Sequence, residues 1–447
     1  MIAFPHAEGL PGVARALDPS WVLPRLRREL TPRAVGGAAI ESLTVRRIRY
    51  RPNDRCVVQY RAICRRSPSD PPRDAVLTAT LFADPRRAER MMRTHADAAR
   101  QSVPDTLEPL PPISHVPELG MIVSAFPFDR KLPTLPSLVE GPPPDLAARL
   151  LGVSHRERVI ADVDLVRYRE HLGATLRWRL RCPTQDRART VFVKVYPEGQ
   201  AAQAWTQMTA NPLDRRVVSV VTPVAYLDAL DAIVMDEAPG ISVEQALRSG
   251  DAPTLAPTVA RALAALHHSP SHDLPVRGAE HRRQSATRAA ATLAWALPQL
   301  AEDAQRIARA VAVVDHGPVV ACHGDLKPEH LFVSDERVVL VDLDSRCRSA
   351  PAGDVADLLV RIIASPRLDG IHPRVAVRTA AAFLDEYRRV TPPMFVATLH
   401  LHVARAALDL AASVFRRQLP DWREHSAWLV HEADAALHQA SHARPER

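Results

Sequence analysis

The chain has 447 residues, of which 46% are hydrophobic and 24% are charged, so it is long enough for two or three domains with well-formed cores. This composition excludes a small disulfide-rich scaffold, a mainly disordered chain and a fibrous protein. The formal net charge is +7, from 58 basic and 51 acidic residues. Because the arginines are spread along the chain without long basic runs, we expect no nucleic-acid partner.

The sequence also gives no indication of a membrane-spanning or secreted protein. No uninterrupted run of about 18 apolar residues is present, and the most apolar stretch, 217–235, contains Pro223, Asp228 and Asp231. The first residues lack the basic and then apolar segments of a secretion signal. The five cysteines form no CxxC pair. We therefore expect a cytoplasmic protein with free thiols and no membrane partner.

The patterns along the chain change twice, which predicts three regions. Residues 1–155 combine short strand patterns with proline-rich loops and form an N-terminal extension. Residues 156–240 contain alternating apolar patterns that predict an antiparallel sheet, with one helix after Gly199. Residues 241–447 are mainly amphipathic, alanine- and leucine-rich segments, which predict a helical domain. The predicted fold class is α+β.

The extension contains a candidate repeat of the sheet domain. Residues 49–64 align without gaps with residues 167–182, and both segments precede a loop, a strand, a helix and a strand pair. Several of the shared residues are arginines in an arginine-rich chain, so a chance match stays open as the alternative. In this alignment Thr80 corresponds to Lys194.

Lysine is rare in a chain that uses arginine as its ordinary cation. It occurs at three positions: Lys131, Lys194 and Lys327. A lysine is a compact point charge, whereas arginine is a planar fork, so its use here suggests a site that requires the compact charge. In the predicted strand 191–196, valines alternate with larger residues, so Lys194 is expected to lie on the face opposite the valines.

A β-hairpin is predicted near residue 335. Two short apolar runs, 331–333 and 338–341, flank a turn of four polar residues. Pairing of these runs brings His330 close to Asp342 at the open end of the hairpin. Asp325 lies in the incoming loop, five residues before His330.

The open end of this hairpin gathers acidic groups. Asp342 and Asp344 are expected to point to the same side, because strand side chains repeat every two residues. With Asp325 and His330, three carboxylates and an imidazole then converge. Such a concentration of negative charge is unfavourable without a counterion, so a divalent cation with phosphate groups is predicted at this position.

The motifs HGDLKPEH (323–330), LVDLD (340–344) and PAGD (351–354) resemble the catalytic region of the aminoglycoside phosphotransferase and choline kinase-like family. The resemblance extends in organisation over about residues 160–447, and the extension lies outside it. It implies a protein-kinase-like bilobal fold, with an antiparallel sheet lobe and a helical lobe. It also implies transfer of the ATP γ-phosphoryl group to a hydroxyl group of a small molecule, in the presence of Mg²⁺.

The resemblance also assigns roles to individual residues. It makes Asp325 the catalytic base and Asp342 a metal ligand, to which the strand geometry adds Asp344 as a second carboxylate ligand. It places Lys194 on the α- and β-phosphates of ATP and Lys327 on the transferred phosphoryl group.

The remaining roles concern adenine and the support of the catalytic loop. Met235, Glu237 and Ala238 are implied to form the hinge that contacts adenine. His323 and Asp354 are implied to support the loop that carries the catalytic base.

Two positions depart from the family pattern. His330 stands where the family has an asparagine metal ligand, and because imidazole suits softer metals, Mn²⁺ is an alternative to Mg²⁺ at this site. The helix after Lys194 offers glutamines at positions 200, 203 and 207, where kinases have a glutamate. A nucleotide-binding pseudokinase with a regulatory or scaffold role therefore stays open, as does a protein kinase. The sequence does not specify the acceptor or the oligomeric state.

Overall fold

The computed structural model describes residues 10–30, 39–65, 69–102, 110–209, 213, 217–312 and 317–442. The chain divides into two compact units. The first contains the chain up to Thr209 with Thr222–Glu237 and Arg416–Gln418, and the second contains Ala210–Val221, Ala238–Phe415 and the C-terminal residues from Leu419. The extension and the sheet region thus fall in the first unit. The three-domain organisation stays a prediction.

The described residues form strands and helices in both units. The strands are β1 (Ala39–Arg51), β2 (Arg55–Arg65), β3 (Arg73–Phe82), β4 (Ile113–Val116), β5 (Met121–Ala125), β6 (Ile160–Arg169), β7 (Gly173–Cys182), β8 (Arg187–Val195), β9 (Val218–Val220), β10 (Pro223–Leu227), β11 (Ala232–Asp236), β12 (Ile241–Ser242), β13 (Val320–Cys322), β14 (Leu331–Ser334), β15 (Arg337–Leu340) and β16 (Cys347–Ser349). The helices are α1 (Val13–Ala16), α2 (Pro19–Leu30), α3 (Pro85–Ser102), α4 (Leu135–Glu140), α5 (Pro144–Leu151), α6 (Gln200–Thr209), α7 (Val243–Ser249), α8 (Ala252–His267), α9 (Ala279–Ala296), α10 (Ala301–Ala312), α11 (Ala352–Asp369), α12 (Pro373–Val390), α13 (Leu399–Arg416) and α14 (Trp422–His442).

The first unit contains two five-stranded antiparallel sheets with the same strand order. The first sheet runs β1-β2-β3-β5-β4, and the second runs β6-β7-β8-β11-β10. In each sheet, three consecutive strands are followed by a helix, α3 or α6, and then by a hairpin. The extension and the sheet region therefore share one topology.

The second sheet buries one face because apolar and polar residues alternate along its strands. In β8, Val191, Val193 and Val195 are fully buried, as the alternation predicts. Trp178 of β7 is also fully buried in this core, and its indole N–H donates to the carbonyl oxygen of Leu138 in α4 at 3.0 Å. The opposite face contacts α6 through a smaller apolar cluster.

The second unit is mainly helical, as predicted, and contains two small sheets. One sheet has the order β12-β14-β15-β9, with β15 and β9 parallel, and the other pairs β13 with β16. The segment Pro393–Arg416 is long and apolar enough by composition to cross a membrane, and 44% of its most apolar part is buried inside the protein. Within it, Arg405 forms ion pairs with Asp357 at 2.6 Å and Asp409 at 2.9 Å. Such burial and pairing are typical of a core helix in a globular protein.

Candidate active site

The loop after β13 carries the HGD sequence and is held by a buried aspartate. Asp354, near the start of α11, has only 1% of its surface exposed. Its carboxylate accepts the N–H of His323 at 2.6 Å and the N–H of Gly324 at 2.9 Å. Burial would raise the pKa of Asp354, but hydrogen bonds from His267 and the Gly324 amide hold that pKa below its ordinary value. The ionised carboxylate thus fixes the backbone of this loop.

Gly324 is required by the path of the same loop. Its φ is +78°, in the left-handed region. A Cβ atom at this position would lie 2.3 Å from the carbonyl oxygen of Ser345 and 3.0 Å from Sγ of Cys347. A side chain there would therefore displace the loop from the segment that follows β15.

The hairpin predicted after the loop is present. Strands β14 and β15 are antiparallel, and Leu331 pairs with Leu340 while Ser334 pairs with Arg337 next to the turn. At the open end, the N–H of Val341 donates to the carbonyl oxygen of His330 at 3.1 Å. The expected proximity of His330 and Asp342 is also present, with Nε2 of His330 lying 3.6 Å from Oδ2 of Asp342.

The expected alignment of Asp342 and Asp344 along one strand was wrong. Strand β15 ends at Leu340, and Asp342 has left-handed backbone angles of φ 59° and ψ 49°. Asp344 lies in the short 3₁₀ turn Leu343–Ser345 and is exposed. Because the left-handed residue ends the strand geometry, side-chain alternation no longer relates the two carboxylates. The role of Asp344 as a metal ligand stays a prediction.

Asp325 and Lys327 form a close ion pair. Nζ of Lys327 donates to Oδ2 of Asp325 at 2.8 Å, and Lys327 is 8% exposed. Burial opposes ionisation of Asp325, but the charge and hydrogen bond of Lys327 outweigh it, so the pKa of Asp325 is lowered. Asp325 is therefore ionised at neutral pH and 39% of its side chain is exposed. A carboxylate in this state can accept a proton from a bound group.

His330 is a neutral imidazole beside this pair. Burial, together with the charges of His323 and Lys327, lowers the pKa of His330 to about 3. The ring stacks on that of His323, with the centroids 5.3 Å apart, and Nε2 of His323 lies 3.0 Å from the carbonyl oxygen of Val341. Within the described part of the chain, the buried Nδ1 of His330 has no hydrogen-bond partner. A neutral ring whose Nε2 lies 3.6 Å from the carboxylate of Asp342 fits a metal-facing position.

Lys194 lies in the first unit, in the middle of the second sheet. It is half-buried, and it pairs in register with Thr175 of β7 and Ile233 of β11. Its ammonium group lies 5.7 Å from the ring centroid of Tyr196. As predicted, it lies on the face opposite the valine core. That face contacts α6, which carries no carboxylate residue.

The three hinge residues lie at the end of β11. Met235 is within the strand and pairs with Phe192, whereas Glu237 and Ala238 follow it. The chain passes from the first unit to the second between Glu237 and Ala238. This position fits the predicted hinge, and the contact with adenine stays a prediction.

Two residues that the sequence analysis missed support Asp354. Nε2 of His267, at the end of α8, lies 3.3 Å from Oδ2 of Asp354, and Nδ1 of the same ring lies 2.6 Å from the hydroxyl oxygen of Tyr387. Both side chains are almost completely buried. They lie far from the HGD sequence along the chain, so no local motif indicated them. The only signal was a polar residue at the end of an apolar helical pattern.

The described residues of the second unit therefore combine three chemical functions. Asp325 offers an ionised carboxylate, and Lys327 offers a buried positive charge next to it. Asp342 and His330 offer an oxygen and a nitrogen donor side by side. Such a set suits a reaction in which a proton is removed and an anionic group is held.

Residues 184–393 match the model of the phosphotransferase enzyme family. The matched segment begins before β8 and ends after α12, so it contains Lys194, the hinge, the HGD loop and the hairpin. The resemblance and the α+β, protein-kinase-like fold class predicted from the sequence are confirmed. No curated protein matches the chain.

Several solved structures are similar in fold. They include the choline kinase LicA from Streptococcus pneumoniae, with 12% identity, a TM-score of 0.42 and coverage of 66% of this chain and 97% of that chain. A thermostable mutant of the aminoglycoside phosphotransferase APH(4)-Ia, in its apo form, has 13% identity, a TM-score of 0.44 and coverage of 67% and 99%. The amicoumacin kinase hAmiN, in complex with AMP-PNP, Ca²⁺ and Ami, has 12% identity, a TM-score of 0.41 and coverage of 61% and 88%. Similarity at this level assigns no substrate.

Proposed function

Because residues 184–393 match the model of the phosphotransferase enzyme family, we propose that this protein transfers the γ-phosphoryl group of ATP to a hydroxyl group of a small molecule. Aminoglycosides, sugars and amino alcohols are the acceptor classes to test. The observation that carries the proposal is the ionised Asp325, paired with Lys327 at 2.8 Å on a loop that Asp354 holds by two backbone hydrogen bonds.

In this proposal Asp325 orients the acceptor hydroxyl group and takes its proton as the oxygen attacks the γ-phosphorus. The lowered pKa keeps Asp325 in the basic form at neutral pH. Lys327 stabilises that charge through its ion pair with Asp325 and would also contact the transferred phosphoryl group. Most of the rate enhancement would then come from positioning and from charge stabilisation.

Lys194 would bind the α- and β-phosphates, and the hinge residues Met235, Glu237 and Ala238 would contact adenine. Asp342, with Asp344 and His330, would hold the metal ion. A bound Mg²⁺ or Mn²⁺ would neutralise the negative charge of the phosphate groups. Since one donor of this set is a neutral imidazole nitrogen, we expect Mn²⁺ to support activity at least as well as Mg²⁺. We expect a cytoplasmic protein that acts on soluble substrates.

The test is an ADP-release assay with purified protein, ATP and a panel of hydroxylated acceptors, in Mg²⁺ and separately in Mn²⁺. We expect acceptor-dependent ADP release with one class of the panel. Nucleotide binding by calorimetry without turnover on any acceptor would instead favour the pseudokinase alternative. Absence of nucleotide binding would contradict both functions.

A further inference from the structure

The turn between β6 and β7 is held by an aspartate from the N-terminal extension. The side chain of Asp129 is completely buried. Its Oδ2 accepts the N–H of His171 at 2.7 Å and the hydroxyl group of Tyr168 at 3.0 Å. Its Oδ1 accepts the N–H of Lys131 at 2.9 Å. One carboxylate of the extension therefore binds both the backbone of this turn, at His171, and the end of β6, at Tyr168.

Glu170, in the same turn, makes further contacts with the extension. The hydroxyl group of Thr80 donates to Oε1 of Glu170 at 3.3 Å, and Nη2 of Arg49 lies 3.8 Å from Oε2. Burial raises the pKa of Glu170 and lowers the pKa of His171 to about 4. The neutral ring of His171 can thus accept the Nε–H of Arg130 at 3.2 Å. The turn is fixed on both sides by residues of the extension.

The strand registers show that Thr80 and Lys194 occupy corresponding positions in their sheets. Thr80 pairs with Val57 on one side and Ile122 on the other, and Lys194 pairs with Thr175 and Ile233. The alignment of 49–64 with 167–182 places Val57 opposite Thr175. The lysine position of the second sheet is therefore a threonine in the first.

The final hairpins of the two sheets correspond as well. In the first sheet, β4 and β5 are joined by the 3₁₀ turn Pro117–Leu119 and the left-handed Gly120, with φ +54°. In the second sheet, β10 and β11 are joined by the 3₁₀ turn Asp228–Leu230 and the left-handed Asp231, with φ +45°. A match in strand order, register and turn type makes chance a poor explanation of the sequence repeat.

The turn lies at the end of the second sheet that carries Lys194. Gly173 starts β7, two residues before Thr175, the partner of Lys194. A Cβ atom on Gly173 would lie 2.9 Å from the carbonyl oxygen of Val195, the residue after Lys194. In protein kinases the turn at this place in the sheet covers the nucleotide phosphates. A shift of the turn would therefore change the space next to Lys194.

We propose that the extension is a second copy of the nucleotide-binding sheet that has lost its lysine, and that it positions the turn 170–173 for nucleotide binding through Asp129 and Thr80. This inference rests on the proposed function. Asp129 and Thr80 are positioning residues, because they act through the turn and are not assigned to the substrates.

The test compares three variants with the wild-type full chain: Asp129→Ala, Asp129→Asn and Thr80→Val. Asp129→Ala removes all acceptors, whereas the amide oxygen of Asp129→Asn can still accept from His171 and Tyr168. Thr80→Val is nearly isosteric and removes only one donor, so it keeps the inference testable if Asp129→Ala fails to fold. Asp164→Asn is the matched control, because Asp164 lies in β6 and pairs with Arg177 and Arg179 at the surface.

Hydrogen exchange of the segment 170–173 and calorimetric binding of AMP-PNP with Mg²⁺ are the two measurements. We expect Asp129→Ala to exchange faster and to bind at least tenfold more weakly, which corresponds to about 1.4 kcal/mol. We expect a smaller loss for Thr80→Val and for Asp129→Asn, because the NH₂ group of the asparagine would face the N–H of Lys131. Asp164→Asn should give near wild-type values. In steady-state assays, the KM for ATP should rise while the KM for the acceptor is unchanged.

Wild-type affinity in both Asp129→Ala and Thr80→Val would overturn the inference, even if the turn exchanged faster. An equal loss in Asp164→Asn would also overturn it, because the effect would then be general to the sheet. If the wild-type protein itself binds no nucleotide, the proposed function fails together with this inference. Failure of the proposed function is thus seen in the wild-type protein itself, whereas failure of this inference alone is seen only when the variants are compared with a wild type that binds nucleotide.

Discussion

Replacement of Asp354 by asparagine should destabilise the second unit strongly. Asp354 is almost completely buried, and its carboxylate accepts from the N–H groups of His323 and Gly324 and from His267. An asparagine keeps one acceptor oxygen and places an NH₂ group against at least one of these donors. A hydrogen bond to a charged group contributes about 1.5–3 kcal/mol, and a buried donor without a partner costs about 1–3 kcal/mol. We therefore expect the free energy of unfolding to fall by about 3 kcal/mol.

Urea denaturation, followed by tryptophan fluorescence, measures this loss. The matched control is Asp303→Asn, because Asp303 is 54% exposed in its ion pair with Arg306 and an exposed pair contributes at most about 1 kcal/mol. The Asp354→Asn variant should also lose turnover, since the backbone of the HGD loop is no longer held. A loss of stability below about 1 kcal/mol, or one equal to that of the control, would refute the reasoning.

The pH dependence gives a second check on Asp354. The pKa of Asp354 in the folded state is lowered below its ordinary value of about 3.9, so the ionised carboxylate contributes stability above that pH and loses this contribution as the pH falls through the folded-state pKa. The difference between the wild type and Asp354→Asn should be constant above about pH 5 and should shrink below about pH 4. A difference that persists unchanged to pH 3 would contradict the role of the charge.

Three further substitutions test other parts of the account. His330→Asn should keep or increase Mg²⁺-dependent turnover and reduce any preference for Mn²⁺, because it replaces a nitrogen donor by an oxygen donor; a loss of turnover in both metals would contradict this. Gly324→Ala should lower stability by about 1–3 kcal/mol, since the left-handed backbone and the contact with Ser345 leave no room for a Cβ atom; unchanged thermal unfolding would argue against it. Burial raises the folded-state pKa of Glu170, so the wild type should lose stability as the pH rises from about 4.5 through that pKa. Glu170→Gln should lack this loss, and equal pH slopes in thermal unfolding would exclude it.

The sequence predicted the elements whose signals are local. The alternation of valines around Lys194 correctly predicted which face of β8 is buried. The two apolar runs around residue 335 correctly predicted the hairpin and the proximity of His330 and Asp342. The helical pattern after Gly199 corresponds to α6. These features depend on neighbouring residues, so a periodic pattern is sufficient to identify them.

The remaining features depend on contacts between segments distant in the chain, which cannot be predicted from the spacing of residues. The strand pattern could not show that Asp342 adopts a left-handed conformation, which ends the alternation of side chains after β15. His267 and Tyr387 reach Asp354 from α8 and α12, which only the packing of these helices brings together. Likewise, Asp129 and His171 are separated by 42 residues along the chain, so their hydrogen bond could be identified only from the folded structure.

The most direct test of the central claim is phosphoryl transfer in the Asp325→Asn variant. Asparagine keeps the shape of the side chain and can still accept a hydrogen bond from Lys327, but it cannot accept a proton from the acceptor. With the acceptor identified by the ADP-release assay, ³¹P NMR of the reaction mixture should show a phosphorylated product with the wild type. The variant should bind ATP with near wild-type affinity and form product at least about a hundredfold more slowly. Product formation at the wild-type rate would remove Asp325 as the base and contradict the mechanism.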